Sequence, residues 1–148
     1  MSTTDFHGVK IALFYNDKLI VYLRDDKPGL RWANMWDLPG GGREDSETPF
    51  ECVKREVEEE FSISLSEGQI SWQKEYPAMH DPSLRAYFMV AEVTPDQFKA
   101  IEFGDEGQRW ELMSVEEYLE KPDIISYTKG RLNDYLAANK AQTTAVKA

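Results

Sequence analysis

GGGREDSETPFECVKREVEEEF, Gly40 to Phe61, is the stretch on which the reading of this chain turns. It opens on three glycines and closes with Glu56, Glu58, Glu59 and Glu60 inside five positions. Thr48 as N-cap, Pro49 at the first helical position and Glu51 completing a T-x-x-E capping box predict where a helix starts. Phe50, Val53, Val57 and Phe61 then recur at helical spacing, an apolar stripe suited to packing on a sheet. Glu56, Glu59 and Glu60 are related by i, i+3 and i+4 and share a different face. Like charges one turn apart repel by a few tenths of a kcal/mol per pair, and the neighbouring residues add negative charge. Most glutamate runs are simply solvated faces. This one follows a glycine loop, where backbone can approach a ligand closely. Clustered carboxylates are the hard oxygen ligands that Mg²⁺ or Mn²⁺ prefers, together with substrate phosphates. The reading is that a divalent cation belongs among these glutamates.

Outward from this helix, strands and helices alternate. GVKIALFY and KLIVYLR, joined by Asn-Asp-Lys, predict a β-hairpin. DDKPGLRWAN is a loop, and MWDLP a short strand running into the glycines. QISWQKEYPAM and SLRAYFMVAEV are two further strands, TPDQFKAI a short helix, and QRWELM another strand. SVEEYLE carries a capping box at Ser114 and Glu117. IISYTKGRLNDYLAAN is the last helix, interrupted at Gly130, and residues 141–148 are expected to fray. No linker or repeat divides the chain, so residues 1–140 are read as one domain. Mixed strands with helices on both sides give an α/β class and an α/β/α sandwich.

Composition narrows the function. With 148 residues, 41% of them hydrophobic and 12% aromatic, the chain is long and apolar enough for a real core. No apolar run reaches a membrane span, and the N-terminus has no signal-peptide pattern. A single cysteine, Cys52, allows neither an internal disulfide nor a cysteine-based zinc site. A reduced, cytoplasmic location is the simplest reading. The net charge of −10 provides no basic footprint for nucleic acid. An anionic ligand would therefore need a cation to attract it. His7 and His80 are too few to argue for a Ser-His-Asp arrangement, and Cys52 reads as a small packing residue.

These residues resemble the Nudix box, G-x5-E-x7-R-E-U-x-E-E-x-G-U with U aliphatic. Gly41, Glu47, Arg55-Glu56-Val57, Glu59-Glu60 and Ile63 match it position by position, and Ser62 stands where the family has glycine. That glycine ends the helix, often with a left-handed backbone, so a changed helix exit is expected. Ala33 to Gly41 (ANMWDLPGG) and Glu106 to Ser114 (EGQRWELMS) are similar to segments of MutT-like members. The resemblance implies a Nudix α/β/α sandwich with a mixed β-sheet. It implies Mg²⁺- or Mn²⁺-dependent hydrolysis of a nucleoside diphosphate linked to another moiety. Glu56, Glu59 and Glu60 would be metal ligands, joined by the backbone carbonyl of Gly40. Glu106 would be a further carboxylate near the metal, as ligand or base. Glu47 and Arg55 would hold the ligands in place.

Either Glu56 or Glu106 suits the role of base. For the substrate, Arg24, Gly41, Arg43 and Asp123 are the candidate contacts. Trp32, Trp36, Tyr87 and Phe88 are candidates either to stack on a base or to fill the core. A MutT-like (d)NTP pyrophosphohydrolase, releasing a nucleoside monophosphate and pyrophosphate, leads. ADP-ribose, a dinucleoside polyphosphate or a nucleotide sugar is the alternative substrate class. A non-catalytic nucleotide-binding Nudix module is the alternative of another kind, and retention of all the box glutamates speaks against it. The partner is a small-molecule nucleotide; the sequence does not give an oligomeric state.

Overall fold

The computed structural model describes residues 6–79 and 81–147; His80 lies outside the described residues. The predicted hairpin is β1 (Phe6–Tyr15) and β2 (Lys18–Leu23). Asn16 and Asp17 turn the chain with φ of 50° and 65°, the left-handed pair that matches strand twist in a two-residue hairpin. MWDLPGGG divides into β3 (Trp36–Asp37) and β4 (Gly40–Gly42). The glycines are thus strand rather than loop: Gly40, Gly41 and Gly42 pair antiparallel with Lys10, Val9 and Gly8. Next come α1 (Pro49–Phe61), β5 (Ile70–Pro77), β6 (Arg85–Glu92) and α2 (Pro95–Lys99). The chain ends with β7 (Arg109–Ser114), α3 (Val115–Glu120) and α4 (Ser126–Lys147). Gly130 does not interrupt α4, and the helical backbone continues to Lys147, across the stretch where fraying is expected.

The strands form one sheet with a path β3-β2-β1-β6-β5; β4 adds to β1 and β7 to β2. β1 and β6 run parallel and the other pairs antiparallel, so the sheet is mixed, as expected. Alternation along β1 sends Val9, Ile11 and Leu13 to one face and Ala12 and Phe14 to the other. The first face packs on Val53, Val57 and Phe61 of α1, together with Cys52, which the stripe had not included. The second packs on Tyr118 of α3 and Leu132 of α4. Helices on both faces make the α/β/α sandwich. No helix among the described residues is long and apolar enough to cross a membrane.

The reciprocal capping box at Thr48 and Glu51 is present. The helix exit differs from expectation. Ser62 itself takes the left-handed conformation, φ 60° and ψ 31°, and its N–H donates to the Glu58 carbonyl. Its hydroxyl donates to the Glu102 carbonyl at 3.2 Å, so serine closes the helix in the geometry that glycine usually supplies. A left-handed backbone costs a non-glycine residue roughly 1–2 kcal/mol, while one exposed hydrogen bond returns about 0.5–1 kcal/mol. Ser62→Gly should therefore raise stability by up to about 1 kcal/mol. Urea denaturation checks this; a lower midpoint would mean that the hydroxyl contact outweighs the backbone strain.

Candidate active site

Glycines let three elements close on one another. A methyl group added to Gly8 would lie 2.5 Å from the Gly41 carbonyl oxygen. On Gly40, whose φ is +134°, it would overlap the Val9 carbonyl; on Gly41 it would overlap the Glu56 carboxylate. The backbone of β4 is thus pressed between β1 and the acidic face of α1, and its lack of side chains is what admits Glu56.

Glu60 points inward. It is 8% exposed, and its Oε1 accepts the Gly40 N–H at 3.0 Å. Burial pushes its carboxyl up to about 8; Lys10 and the Gly40 N–H pull the other way, and Glu56 and Asp37 add to the rise. Burial also raises the Glu56 carboxyl, against the pull of Arg55 and with the negative charges of Glu59 and Glu106 adding to it. Glu59 is 57% exposed.

Arg55 ties the helix to the loop before it. Its Nε and Nη2 fork onto Glu47 at 2.7 and 3.1 Å, its Nη1 donates to Glu56 at 2.8 Å and reaches Glu59 at 3.3 Å, and Nη2 donates to the Gly42 carbonyl. The hydrogen bond from Arg55 holds the Glu47 carboxyl below its ordinary range. With Glu44 at 3.4 Å from Nη1, the planar fork meets four carboxylates and fixes their spacing in a way a point charge would not.

Glu106 is exposed on the loop before β7. That loop is pinned at both ends. The Gly104 N–H donates to the Glu60 carbonyl, and the Gln108 N–H to the Leu23 carbonyl. Gly107 turns with φ +97°, and the Gln108 side chain donates to the Arg24 carbonyl and to Asn34 Oδ1, both at 2.8 Å. In E-G-Q, the glycine and glutamine place the glutamate.

The donors suit a hard divalent cation: carboxylates on one helical face, two of them pushed toward protonation by burial and by neighbouring negative charge. Among the described residues, however, no three acidic, histidine or cysteine side chains converge at metal-holding distance. Glu60 is turned to Gly40, while Glu56 and Glu59 are held on Arg55. The side chains expected as ligands therefore share a face without sharing a point. Gly40 meets Glu60 through its N–H, whereas the expected metal contact was its carbonyl.

A cavity of about 230 Å³ lies beside the glycines. Arg24 and Gly41 line it, as expected of substrate contacts; Arg43 and Asp123 are not among the lining residues. Arg43 donates to the Glu47 carbonyl and covers the Phe6 ring at 4.8 Å. The Asp123 carbonyl accepts the Trp36 N–H, and its Oδ1 is enclosed without a hydrogen-bond partner. From that end of the chain, α4 instead sends Tyr127 and Arg131 into the wall.

Lys10 and Asp37 also line the cavity and form a buried pair at 2.8 Å, with Tyr22 and Arg24 at 3.4 and 3.5 Å from the same carboxylate oxygen. Sequence reasoning passed over this pair. Its signal was there: a lysine inside GVKIALFY and an aspartate inside MWDLP are isolated charges in apolar strands. Of the aromatic candidates, Trp36, Tyr87 and Phe88 are core, and Trp32 lines the cavity.

The family model for the NUDIX domain matches residues 6–131 of the chain. An 8-oxo-dGTP diphosphatase of Escherichia coli (strain K12) is 26% identical over 107 residues, covering 72% of this chain and 79% of that protein. The MutT protein of Methanosarcina mazei Go1 has a crystal structure similar to this one with a TM-score of 0.69 at 23% identity, over 90% of this chain and 94% of that one. An Ap4A hydrolase of C. elegans gives 0.66 at 15% identity, over 90% and 98%. The two structural relatives carry different activities in their names, and at these identities their likeness to this chain concerns the fold alone.

Proposed function

This chain belongs to the NUDIX domain family, and from that premise we propose that it is a MutT-like pyrophosphohydrolase, cleaving (d)NTPs to a nucleoside monophosphate and pyrophosphate with Mg²⁺ or Mn²⁺. It is a Nudix hydrolase acting on nucleoside diphosphate derivatives. One observation carries the finer reading: the acidic face of α1, with Glu60 turned inward and Glu56 and Glu59 clamped by Arg55, lies against a side-chain-free strand whose Gly41 and Gly42 line a cavity of about 230 Å³.

Glu56, Glu59 and Glu60 would hold the cation, with the Gly40 backbone beside them and Glu106 facing them from its loop. When bound, the ion neutralises phosphate oxygens and acidifies a water. The chain's own groups do the rest. Arg55 and Glu47 keep the carboxylates spaced. The Gly41 backbone lets the diphosphate approach. Glu56 or Glu106 takes the proton of the attacking water, and Arg24 contacts the base. A protein at −10 repels free nucleotide, so the Mg²⁺ complex is the form that binds.

A panel of nucleoside triphosphates, ADP-ribose and dinucleoside polyphosphates, assayed with Mg²⁺ and with EDTA, tests this. Release of pyrophosphate from triphosphates, abolished by EDTA, is expected. Fast cleavage of ADP-ribose with triphosphates untouched would overturn the substrate reading.

A pH dependence follows from Glu60. Its carboxyl, pushed up to about 8, must lose its proton to hold a cation, so protons compete with the ion below that pH. At limiting Mg²⁺, activity should rise between pH 6 and 8 and level off above. Saturating Mg²⁺ should move the rise to lower pH. A profile peaking below pH 6 at limiting Mg²⁺ would exclude Glu60 as a ligand.

A further inference from the structure

The loop that carries Glu106 is held from two sides. On one side it lies on the last turn of α1. The Glu102 N–H donates to the Phe61 carbonyl at 3.1 Å and the Gly104 N–H to the Glu60 carbonyl at 2.9 Å. A methyl group on Gly104 would lie 2.6 Å from the Glu59 carbonyl oxygen, so glycine is what lets the backbone come this close. On the other side Gln108 meets the chain between β2 and β3. Its N–H donates to the Leu23 carbonyl, and its side chain reaches further: Nε2 donates to the Arg24 carbonyl and to Asn34 Oδ1, both at 2.8 Å. A backbone carbonyl can only accept, so the amide must turn its nitrogen toward Arg24. The second hydrogen on that nitrogen then requires the oxygen of Asn34, not its nitrogen. Glutamate at position 108 would set a carboxylate against the same two acceptors.

Those two acceptors are the neck of a closed loop. The Arg24 N–H donates to the Met35 carbonyl at 2.9 Å and the Asn34 N–H to the Asp25 carbonyl at 3.0 Å. Asn34 has φ of 60°, a backbone that asparagine adopts more readily than most residues. Beyond the neck, Arg31 and Trp32 line the cavity beside the glycines. Arg24, Lys27 and Leu30 line a second cavity of about 290 Å³ together with Glu106 and Gly107. One exposed amide thus joins the loop that walls both cavities to the loop of a carboxylate whose charge reaches Glu56. We infer that Gln108 is a positioning residue: it sets the place of Glu106 for hydrolysis by tying the Glu106 loop to the neck of the β2–β3 loop, with Asn34 as the far end of the joint. The inference rests on the reading of Glu106 as part of the hydrolytic site and adds what holds it there.

Gln108→Met keeps the length of the side chain and loses the donor, and the position is exposed, so the fold has no core contact to lose. With whichever member of the nucleotide panel is cleaved fastest, kcat and KM are measured for the wild type, Gln108→Met, Glu106→Gln and the double variant. Gln108→Met should lower kcat about tenfold, the lower end of the loss seen when the partner that orients a site residue is removed, with a smaller change in KM. Once Glu106 is glutamine, Gln108→Met should lower kcat no further, because a residue that acts through Glu106 then has nothing left to place. An equal loss in both backgrounds would make Gln108 a structural residue only and overturn the inference, as would an unchanged kcat. Amide hydrogen exchange, read by mass spectrometry on peptides covering residues 24–35 and 102–108, tests the joint without turnover. Gln108→Met should speed exchange in both peptides. Asn34→Gly, which keeps the left-handed backbone and removes the acceptor, should speed it in the distant peptide 102–108 as well; Asn34→Asp, which keeps the acceptor, should leave that peptide as in the wild type. Faster exchange confined to the segment that carries the substitution overturns the inference. If no member of the panel is cleaved, the hydrolase reading falls, and the exchange of the two peptides still decides for or against the joint.

Discussion

Glu59→Gln and Glu60→Gln should each lower Mg²⁺-dependent turnover by about 100-fold, the upper end of the loss that even a partner of a metal ligand can bring, and each should leave the fold intact. The two residues reach this result from different surroundings. Glu59 is more than half exposed and contacts Arg55 at 3.3 Å, so a neutral amide removes the charge of a proposed ligand and disturbs no packing. Glu60 is buried, but its Oε1 accepts the Gly40 N–H, and the Oε1 of glutamine accepts that bond equally well. Far-ultraviolet circular dichroism and thermal melts in EDTA check the fold, and initial rates at saturating Mg²⁺ check the turnover. Near wild-type rates in both variants would remove these glutamates from the reaction. Loss of the fold would show that they hold the helix against the sheet.

Local signals made most of this architecture legible in the sequence. Thr48, Pro49 and Glu51 mark the start of α1, and the capping box is there. Asn16-Asp17 marks the hairpin. The acidic face was readable for the same reason, since three glutamates at i, i+3 and i+4 share a face in any regular helix. What escaped depends on contacts between segments far apart in the chain. Gly40–Gly42 look like a loop by composition, and only pairing with Gly8–Lys10 makes them a strand. Ser62 can hold a left-handed cap because Glu102, forty residues on, receives its hydroxyl. Asp123 does not line the cavity; α4 begins just beyond it and brings Tyr127 and Arg131 there instead. Local pattern also says nothing about rotamers: Arg55 gathers Glu47, Glu56 and Glu59, while Glu60 turns the other way to Gly40.

That inward turn of Glu60 carries the second large effect, on stability in the absence of metal. An acid whose carboxyl sits near 4.5 in the unfolded chain and at about 8 when folded binds its proton more tightly in the native state. Below pH 4.5 the group is protonated in both states and contributes no pH dependence. Between 4.5 and 8 the unfolded state ionises first, so stability falls as pH rises; above 8 both states are ionised and the loss is complete. The full shift corresponds to roughly 4–5 kcal/mol, or a drop on the order of 10 °C in melting temperature for a chain of this size. Glu56, raised in the same direction, adds to it. Glu47, lowered by Arg55, acts in the acid range below this window. In EDTA the wild-type melting temperature should therefore fall between pH 5 and pH 8, whereas Glu60→Gln, neutral throughout, should show a much flatter curve and be the more stable protein at pH 8. Mg²⁺ should restore the wild type most at pH 8, because a cation binds the ionised carboxylate and competes with the proton. Parallel melting curves for the two proteins from pH 5 to 8 would mean that the buried carboxylate is already compensated, with Lys10 the neighbour to suspect, and would remove the reason for a cation to settle there.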